Sequence, residues 1–396
     1  MKRLVVLGST GSIGVNALDV VQRLNRRTPG AFRVKGLSAN GNVERLKSQV
    51  AAFRPEEVVL GDADAAAHFS DWARARRIPL RIRSGVEGLD ALAARPGVDL
   101  VLSAVVGAVG LTPLLAALKS GIDVALANKE ALIVAGDLLM AAARRSGARI
   151  LPVDSEHSAM FQCLGGRTGP SAGVRRLILT ASGGAFYRRS GSLKNVTVAE
   201  ALNHPTWKMG RKITVDSATL TNKGLEAIEA HHLFGVPMER IHIVIHPQSI
   251  VHSLVEFDDG SMLAQLSHPD MRLPIQYALT FPERRPAPVR PLALEEIQRL
   301  DFSAPDFRRF PCLSLALDSG RRGGVRPAVF NAANETVVRA FLEGRVGFTD
   351  IPRVIERTLR AWDRTPETEG RSLSAVLSAD AWGREAARRL IQKEKP

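Results

Sequence analysis

Two acidic residues lie at alternate positions in the segment Pro152-Val153-Asp154-Ser155-Glu156-His157. Alternate side chains of an extended segment share one face, so Asp154 and Glu156 can converge on one cation. A strand predicted over 148–153 would bring them to its C-terminal end, where open α/β proteins bind ligands. Most Asp-x-Glu pairs are solvated loop residues, so the surrounding motifs decide whether this pair binds metal.

A glycine-rich segment follows a short apolar run at 3–7. Gly8-Ser9-Thr10-Gly11-Ser12-Ile13-Gly14 precedes a helical apolar pattern. Glycines let the backbone approach a pyrophosphate closely, and the N-terminus of a helix supplies unpaired N–H groups. The GxxGxxG spacing differs from the commoner GxGxxG, but its place after the first strand predicts a dinucleotide site rather than a structural turn.

The end of the next predicted strand, 32–38, indicates which dinucleotide binds. An NAD site usually has an acid there, which holds the ribose 2′-hydroxyl. This chain has Ser38-Ala39-Asn40-Gly41-Asn42 instead, with Arg45 and Lys47 close behind. The missing acid and the nearby bases favour the 2′-phosphate of NADP.

Asn128-Lys129-Glu130 follows the strand predicted at 123–127 and opens a helix. Polar side chains at this edge of a parallel sheet lie where a cofactor crosses the sheet. A helix-capping Asn followed by a surface Lys-Glu pair would give the same pattern, and the residues alone leave the two interpretations open.

Two segments after residue 176 could bind an anion or cover a ligand. Thr180-Ala181-Ser182-Gly183-Gly184 follows a strand, and such a turn either presents N–H groups and a hydroxyl to an anion or is a plain turn. The segment 203–212 combines Pro205, Trp207 and Gly210 with four basic or titratable groups. It is predicted to be a mobile flap that excludes water, or alternatively a tethered loop with a buried Trp.

Ser217 is expected to cap a helix whose face carries Asn222, Lys223 and Glu226. This set places phosphate donors beside a carboxylate, which suits a phosphorylated substrate that also touches a cation. Glu229, one turn further on, is an alternative ligand. His231 and His232 lack a zinc spacing and are interpreted as packing or surface residues.

The fold class predicted is α/β, in two or three domains, because 396 residues are too many for one core. Alternating strands and helices over the first 150 residues predict a doubly wound parallel, Rossmann-like sheet. Two antiparallel strands at 241–257 and 261–266 indicate an open sheet and a possible dimer surface. The predicted domains are a cofactor domain (1–149), an α+β catalytic and dimerisation domain (150–280), a linker (281–306) and a helical domain (307–396).

Composition restricts the class of protein further. The net charge of +14 suggests nucleic-acid binding, but the arginines are spread out and no nucleic-acid-binding motif accompanies them. Cys163 and Cys312 have no CxxC spacing, which is typical of free thiols in a reducing compartment. The uncharged run 100–118 contains glycines and a proline and is interpreted as buried strand, turn and helix. We therefore expect a cytoplasmic protein with neither a targeting segment nor a membrane partner.

Eight segments together resemble one enzyme family, 1-deoxy-D-xylulose 5-phosphate reductoisomerase. They occur in order along nearly the whole chain, and PVDSEH, HPTWKMGRK and NKGLE are specific as a set. The segments are GSTGSIG (8–14), ANKE (127–130), PVDSEH (152–157), TASGG (180–184), HPTWKMGRK (204–212), VDSATLTNKGLE (215–226), HPQSIVHS (246–253) and PDMR (269–272).

The resemblance implies a homodimeric enzyme that rearranges and reduces 1-deoxy-D-xylulose 5-phosphate to 2-C-methyl-D-erythritol 4-phosphate. NADPH and a divalent cation, Mg²⁺, Mn²⁺ or Co²⁺, would be its cofactors. The roles it implies fall into three groups. Metal ligands are Asp154, Glu156 and Glu226. Substrate residues are Lys129, Ser155, Glu156, Ser182, His204, Trp207, Met209, Ser217, Asn222, Lys223 and Glu226. NADPH residues are Thr10, Gly11, Ser12, Ile13, Asn40, Gly41, Asn42, Asn128, Glu130 and Gly210.

Gly41 departs from the family, which commonly has a basic residue there, so Arg45 or Lys47 is expected to take over the 2′-phosphate. Two other functions remain as alternatives. A metal-dependent NADP sugar-phosphate or hydroxyacid dehydrogenase would not rearrange carbon, and a nucleic-acid or NADP-sensing protein would use the positive charge.

Overall fold

The chain folds into two compact units. The computed structural model describes residues 1–170, 172–365 and 372–393. The first unit comprises Met1–Ala131, Leu139–Ser158 and Asp270–Arg290, and the second comprises Leu132–Leu138, Ala159–Pro269 and Pro291–Pro396. Among the described residues, no helix is both long enough and apolar enough to cross a membrane. The four-part division expected from the sequence stays a prediction.

The first part of the chain alternates strictly between strands and helices. The elements are β1 (Lys2–Leu7), α1 (Ser12–Arg27), β2 (Phe32–Ala39), α2 (Val43–Phe53), β3 (Glu57–Leu60), α3 (Ala63–Ala75), β4 (Arg81–Ser84), α4 (Gly85–Ala93), β5 (Leu100–Ser103), α5 (Leu111–Lys119), β6 (Asp123–Leu126), α6 (Lys129–Ser146), β7 (Ile150–Pro152) and α7 (Ser155–Cys163).

The seven strands form one parallel sheet in the order β4-β3-β2-β1-β5-β6-β7. This confirms the doubly wound sheet predicted from the sequence. The order reverses between β1 and β5, and ligands of such sheets bind beyond the carboxyl ends of the strands at that point. The edge strand β4 was not predicted, because Arg81–Ser84 is charged and largely exposed and lacks an apolar pattern.

The remaining elements continue through the second unit, with α11 returning to the first. They are β8 (Val174–Ala181), α8 (Val198–Ala201), α9 (Arg211–Ala218), α10 (Thr221–Phe234), β9 (Ile241–Ile245), β10 (Val251–Phe257), β11 (Met262–Leu266), α11 (Arg272–Thr280), α12 (Leu294–Ile297), α13 (Pro311–Arg322), α14 (Arg326–Leu342), α15 (Asp350–Trp362) and α16 (Leu373–Lys393).

A four-stranded mixed sheet lies in the second unit, in the order β11-β10-β8-β9. The predicted hairpin at Asp258-Asp259-Gly260 joins β10 to β11. The single strand predicted over 241–257 is wrong, because His246–Ile250 separates β9 from β10. The two strands do not pair with each other; β9 pairs with β8 in parallel and β10 pairs with β8 antiparallel.

The C-terminal helices confirm the helical pattern expected beyond residue 307. Helix α14 is buried along most of its length and packs against α13, α15 and α16. The predicted extended segment through Asp154 and Glu156 is wrong. β7 ends at Pro152 and α7 begins at Ser155, since the Ser158 N–H donates to the Asp154 carbonyl over 2.8 Å and starts the helix.

Gly14 in the first turn of α1 packs directly on the start of the glycine loop that precedes the helix. A Cβ added there would lie 2.4 Å from the carbonyl oxygen of Gly8. We expect Gly14→Ala to lower the free energy of unfolding by about 1–3 kcal/mol, because backbone atoms must move apart. Gly41→Ala is the matched control, since its Cβ would meet no described atom within 4 Å. Denaturant unfolding followed by circular dichroism measures both, and equal midpoints would contradict the close-packing argument.

Candidate active site

The glycine loop between β1 and α1 is fixed from beneath by buried polar groups. Gly8 has a φ of 78°, and an added Cβ there would lie 2.4 Å from the Ala104 carbonyl oxygen. The Gly8 N–H donates to Ser38 Oγ over 3.0 Å, and Gln49 Nε2 donates to the Ser9 carbonyl over 2.7 Å. The backbone from Thr10 to Ile13 is therefore held in place by bonds that leave its outer side available.

Helix α1 begins at the end of this loop. Gly11 caps it without a side chain that could occupy the first N–H groups, and its first turn starts Ser12-Ile13-Gly14. Free N–H groups and the positive end of the helix dipole make such a terminus favourable for a pyrophosphate. The loop therefore fits a dinucleotide, as the sequence predicted.

The adenosine end of this predicted site lies at Asn40, Gly41 and Asn42, directly after β2. Asn42 caps α2, because its Oδ1 accepts from the Arg45 N–H over 3.2 Å. The Arg45 side chain reaches back to the glycine loop, and its Nη1 donates to the Thr10 carbonyl over 3.1 Å. Lys47 is used differently: its Nζ pairs with Glu44 at 2.7 Å and lies over the Trp72 ring.

The start of α6 positions Asn128 and Lys129. Asn128 caps the helix by accepting from the Ala131 N–H over 3.3 Å, and its Nδ2 donates to the carbonyls of Val105 and Gly107. Lys129 is only 5% exposed, and its Nζ lies 2.5 Å from Asp154 Oδ2. The structure therefore brings together the predicted substrate residue Lys129 and the predicted metal ligand Asp154, which the resemblance also implies to be catalytic. Glu130, the residue after Lys129, is half-buried.

The predicted metal pair lies at the start of α7. The Ser155 N–H donates to Asp154 Oδ1 over 3.0 Å, and Ser155 Oγ donates to Glu156 Oε2 over 2.6 Å. Two carboxylates and a hydroxyl are hard oxygen donors, which suit Mg²⁺ or Mn²⁺ and not a histidine-rich zinc site. The residues present in this unit therefore fit a divalent cation. Glu226 belongs to the second unit, and its place among the ligands stays a prediction.

Three predicted substrate residues form a cluster in the second unit. His204 Nε2 lies 2.9 Å from Ser182 Oγ and 3.1 Å from Ser217 Oγ. Gly184 has a φ of 70°, and a Cβ there would lie 2.4 Å from the Ser217 carbonyl oxygen. The glycine turn after β8 can thus lie directly against α9, which brings the two serines to one imidazole.

His204 holds these serines as a neutral group. Its Nδ1 accepts from the N–H groups of Trp207 (2.9 Å) and Thr206 (3.2 Å), so the ring hydrogen lies on Nε2. Burial lowers the pKa of His204 to about 4. The ring hydrogen can donate to one serine oxygen, which leaves the serine hydroxyl hydrogens to bond an anion.

The first turn of α10 carries the other predicted phosphate residues. Asn222 Nδ2 donates to Glu226 Oε1 over 2.5 Å, and Lys223 Nζ forms an ion pair with Glu226 Oε2. Lys223 is 4% exposed and Glu226 is 1% exposed. Ser217 does not cap this helix, contrary to the prediction. It lies within α9, and α10 begins after Leu220, which adopts a left-handed backbone with φ 58°.

The predicted flap is an irregular segment between α8 and α9. Trp207 and Met209 are half-buried, and Gly210 caps α9. The hydrogen bond from the Trp207 N–H to His204 joins the base of this segment to the serine cluster. The position of Trp207 is therefore tied to the group that orients the two serines.

His252 lies beside the predicted flap residue Trp207 and was not predicted individually, although it is within the quoted segment HPQSIVHS. Its ring centroid is 6.3 Å from that of Trp207, and its Nε2 lies 2.9 Å from Ser267 Oγ. Burial above all, with a smaller contribution from the charge of Lys223, lowers the pKa of His252 to about 4. Only the fold reveals this position, because β10 carries the residue next to Trp207 from far along the chain.

Three family models match the chain in sequence order. They are 1-deoxy-D-xylulose 5-phosphate reductoisomerase over residues 4–136, the C-terminal domain of the same enzyme over 150–234, and the DXP reductoisomerase C-terminal domain over 266–386. Together they cover most of the chain, and each belongs to the family that the sequence motifs resemble.

Full-length relatives agree with these matches. The 1-deoxy-D-xylulose 5-phosphate reductoisomerase of Dechloromonas aromatica is 51% identical over 100% of this chain and 98% of its own. That of Endomicrobium trichonymphae is 47% identical over 99% of this chain and 100% of its own.

Solved structures have the same fold. The crystal structure of DOX-P reductoisomerase in complex with NADPH, fosmidomycin and magnesium is 40% identical, with a TM-score of 0.93 and full coverage (100%) of both chains. The enzyme from Zymomonas mobilis in complex with NADPH is 41% identical, with a TM-score of 0.89 and 99% coverage of both chains. The chain belongs to the 1-deoxy-D-xylulose 5-phosphate reductoisomerase family.

Proposed function

We propose that the chain converts 1-deoxy-D-xylulose 5-phosphate into 2-C-methyl-D-erythritol 4-phosphate, using NADPH and a divalent cation, in the non-mevalonate route to isoprenoid precursors. The observation that carries this proposal is the cluster of Ser182, His204 and Ser217, in a chain about half identical to named reductoisomerases over its full length. The cluster offers hydroxyl donors of the kind a substrate phosphate needs.

The substrate phosphate binds to Ser182, Ser217, Asn222 and Lys223. The neutral His204 orients the two hydroxyls, so the positive charge of this group comes from Lys223 alone. Phosphate binding far from the reacting carbons supplies free energy that can be used for orientation and closure. Trp207 and Met209 cover the substrate and exclude water.

Asp154, Glu156 and Glu226 hold the divalent cation. When bound, this cation stabilises negative charge that develops on the substrate oxygens as a carbon–carbon bond shifts. Lys129 and Ser155 contact the same oxygens, and Lys129 is positioned for this by its ion pair with Asp154. Magnesium in the related crystal structure and the oxygen donors of this chain support the assignment.

NADPH binds along the glycine loop at Thr10, Gly11, Ser12 and Ile13, with its adenosine end at Asn40, Gly41 and Asn42. When bound, it supplies the hydride that reduces the rearranged aldehyde. Contacts near the other end of the cofactor come from Asn128, Glu130 and Gly210. The crystal structures that hold NADPH and the uncapped start of α1 support this placement.

The active protein is a homodimer in the cytoplasm. Strand β11 is an edge strand of the mixed sheet, and its Met262 and Leu263 are 46% and 49% exposed. Exposed apolar edge strands are favourable surfaces for association with a second copy. No nucleic-acid or membrane partner is required for the reaction.

One assay distinguishes this function from its alternatives. NADPH oxidation at 340 nm with 1-deoxy-D-xylulose 5-phosphate should be lost in EDTA and restored by excess Mg²⁺ or Mn²⁺. NMR of the product should show the branched carbon skeleton of 2-C-methyl-D-erythritol 4-phosphate. A reduced but unrearranged product would instead identify a simple dehydrogenase.

Replacing Glu226 tests the metal site. We expect Glu226→Gln to lower turnover by at least about 100-fold, because a metal ligand contributes several kcal/mol of charge stabilisation. NADPH affinity, measured by fluorescence titration, should stay unchanged. Glu239→Gln, an exposed glutamate, is the control and should keep wild-type turnover. Wild-type activity in Glu226→Gln would remove this residue from the metal site.

Arg45, and not Lys47, is expected to bind the 2′-phosphate of NADPH. Its guanidinium lies at the glycine loop, whereas Lys47 pairs with Glu44. Arg45→Ala should weaken NADPH binding about tenfold or more and leave NADH binding unchanged, since a hydrogen bond to a charged group contributes about 1.5–3 kcal/mol. Lys47→Ala should bind both cofactors as the wild type does. Equal losses for NADPH and NADH in Arg45→Ala would mean that Arg45 only supports the loop.

The stability of the protein should fall as the pH is lowered, and His252 should account for part of this. The pKa of His252 is about 4 in the folded chain and 6.5 for a free side chain. Between these values the unfolded chain binds a proton that the folded chain does not, so the free energy of unfolding decreases as pH falls. At pH 5 the loss from this residue should be about 2 kcal/mol relative to pH 7.5.

Urea unfolding at the two pH values measures this effect. His252→Gln should show a smaller decrease than the wild type, while His68→Gln, an exposed histidine, should show the wild-type decrease. The half-buried His204 and His232, whose pKa values are also lowered, keep part of the pH dependence in every variant. Parallel pH curves for wild type and His252→Gln would show that His252 is not held neutral.

A further inference from the structure

A large concavity lies in the second unit, and Thr219, two residues after the proposed substrate residue Ser217, is one of its lining residues. It has a volume of about 820 Å³ and is bounded by the loop after β8, the start of α13 and the start of α15. We call it the α13–α15 cavity. Its volume is within the range of small-molecule sites, which is roughly 300–1,000 Å³. None of the residues proposed to bind substrate, metal or NADPH lines it.

The floor of the α13–α15 cavity is apolar and rigid. Leu193, Phe310 and Phe348 line it and are 9%, 4% and 4% exposed. The Phe348 ring is held edge-on by Phe186, with centroids 5.0 Å apart. Cys312 also lines the cavity, and burial raises the pKa of its thiol to about 12, so it stays uncharged. This floor suits an apolar group and not a polar one.

The acidic groups at the rim of the cavity already have hydrogen-bond or ion-pair partners within the chain. Asp306 Oδ1 accepts from the N–H groups of Arg308 (3.0 Å) and Arg309 (2.9 Å). Glu356 pairs with Arg360 at 2.6 Å, and Arg353 pairs with Asp350 at 2.8 Å. The carboxylates at this rim are therefore bonded within the chain.

Two arginines at the same rim have no ion-pair partner within the described part of the chain. Throughout residues 1–170, 172–365 and 372–393, no carboxylate forms an ion pair with Arg308 or Arg309. Arg309 is fixed by its Nη2, which donates to the Arg189 carbonyl over 2.6 Å. The 12-residue helix α13 adds its positive end, because Phe310 caps it with an apolar side chain and Pro311 follows. Asp306 keeps its negative charge, because backbone N–H groups do not neutralise it. Two arginine charges and the positive helix end outweigh that single carboxylate, so net positive charge borders an apolar floor.

We propose that the α13–α15 cavity binds a small organic anion: an apolar chain or ring that lies on Phe310 and Phe348, joined to a phosphate group that pairs with Arg308 and Arg309. The charge of the rim selects the phosphate, and the floor selects the apolar body. Neither part alone fills the cavity, so binding requires both in one molecule. This site is separate from the proposed reaction, and its ligand is not the substrate.

Hexyl phosphate is a probe that carries both the apolar chain and the phosphate group. Hexanol carries only the apolar chain, and inorganic phosphate carries only the phosphate group. Isothermal titration of the full chain should detect hexyl phosphate at least about tenfold tighter than either single-part probe. Binding should persist in Lys223→Gln, which weakens the proposed substrate phosphate site. Loss of binding in Lys223→Gln would place the probe in the substrate site and overturn the proposal.

Two independent variants test the location. Arg308→Gln should weaken hexyl phosphate binding at least about fivefold, and Arg321→Gln at the other end of α13 should not, although both remove one exposed positive charge. Ser314→Trp should block the cavity without a charge change, since Ser314 is exposed and lines it. Equal affinity in all three variants would overturn the proposal.

Lipid vesicles test whether the phosphate group belongs to a soluble molecule or to a membrane headgroup. Vesicles of phosphatidylcholine with phosphatidic acid present the same chemistry as a membrane headgroup. Retention on these vesicles without binding of soluble hexyl phosphate would mean that the arginines contact a surface and not a ligand in the cavity, which would also overturn the proposal. Binding of soluble hexyl phosphate with no vesicle retention would support it.

Discussion

Among the residues that the structure describes, each unit buries one lysine in the first turn of a helix, and each of these lysines is compensated by a carboxylate. Lys129 begins α6 and pairs with Asp154, and Lys223 lies at the third position of α10 and pairs with Glu226. A cation at a helix N-terminus is opposed by the helix dipole, and its burial costs several kcal/mol more unless it is paired. Local stability alone would not select this arrangement. Local rules are typically broken in this way at functional sites, where the charge is needed for a ligand.

The two lysine–carboxylate pairs also explain how the same side chains can stabilise the fold and take part in the proposed reaction. In the folded chain each carboxylate neutralises a lysine; in the proposed reaction the carboxylates bind a cation and the lysines bind substrate oxygens or phosphate. Exchanging one set of partners for another keeps every buried charge compensated. Because buried charges without partners are strongly unfavourable, ligand binding and the internal ion pairs must be coupled. Removing one carboxylate therefore affects the neighbouring lysine as well as the cation.

Features of the fold and the site that depend on neighbouring residues could be predicted from the sequence, whereas features that depend on distant residues could not. The glycine loop and the parallel sheet depend on short patterns, and the structure confirms them. The interpretation of Asn128 stayed open in the sequence: the structure shows the cap, but Lys129 beside it is buried and not the surface residue that the capping alternative expected. The place of Ser217 was predicted wrongly because α9 ends just after it and Leu220 turns the chain with a positive φ, which its side chain does not indicate. Likewise, the contacts of His204 with two serines join residues 13 and 22 positions away, and no spacing rule connects them. The specific set of family motifs named these residues; only the fold gives the reason for their roles.

The histidines show how the fold decides the electrostatics of the site. A chain with net charge +14 and nine histidines offers many ways to bind a phosphate. Yet burial keeps His204 and His252 neutral near physiological pH, and the backbone N–H groups at His204 Nδ1 require a lone pair there. In the proposed phosphate site the imidazole of His204 thus acts as an orienting group, and the positive charge is confined to Lys223. A single fixed cation among neutral donors recognises a phosphate by geometry, because hydroxyl and amide groups must match its oxygens in direction. The large net charge is therefore no guide to this site, because the charges proposed to act here are buried, few and individually placed.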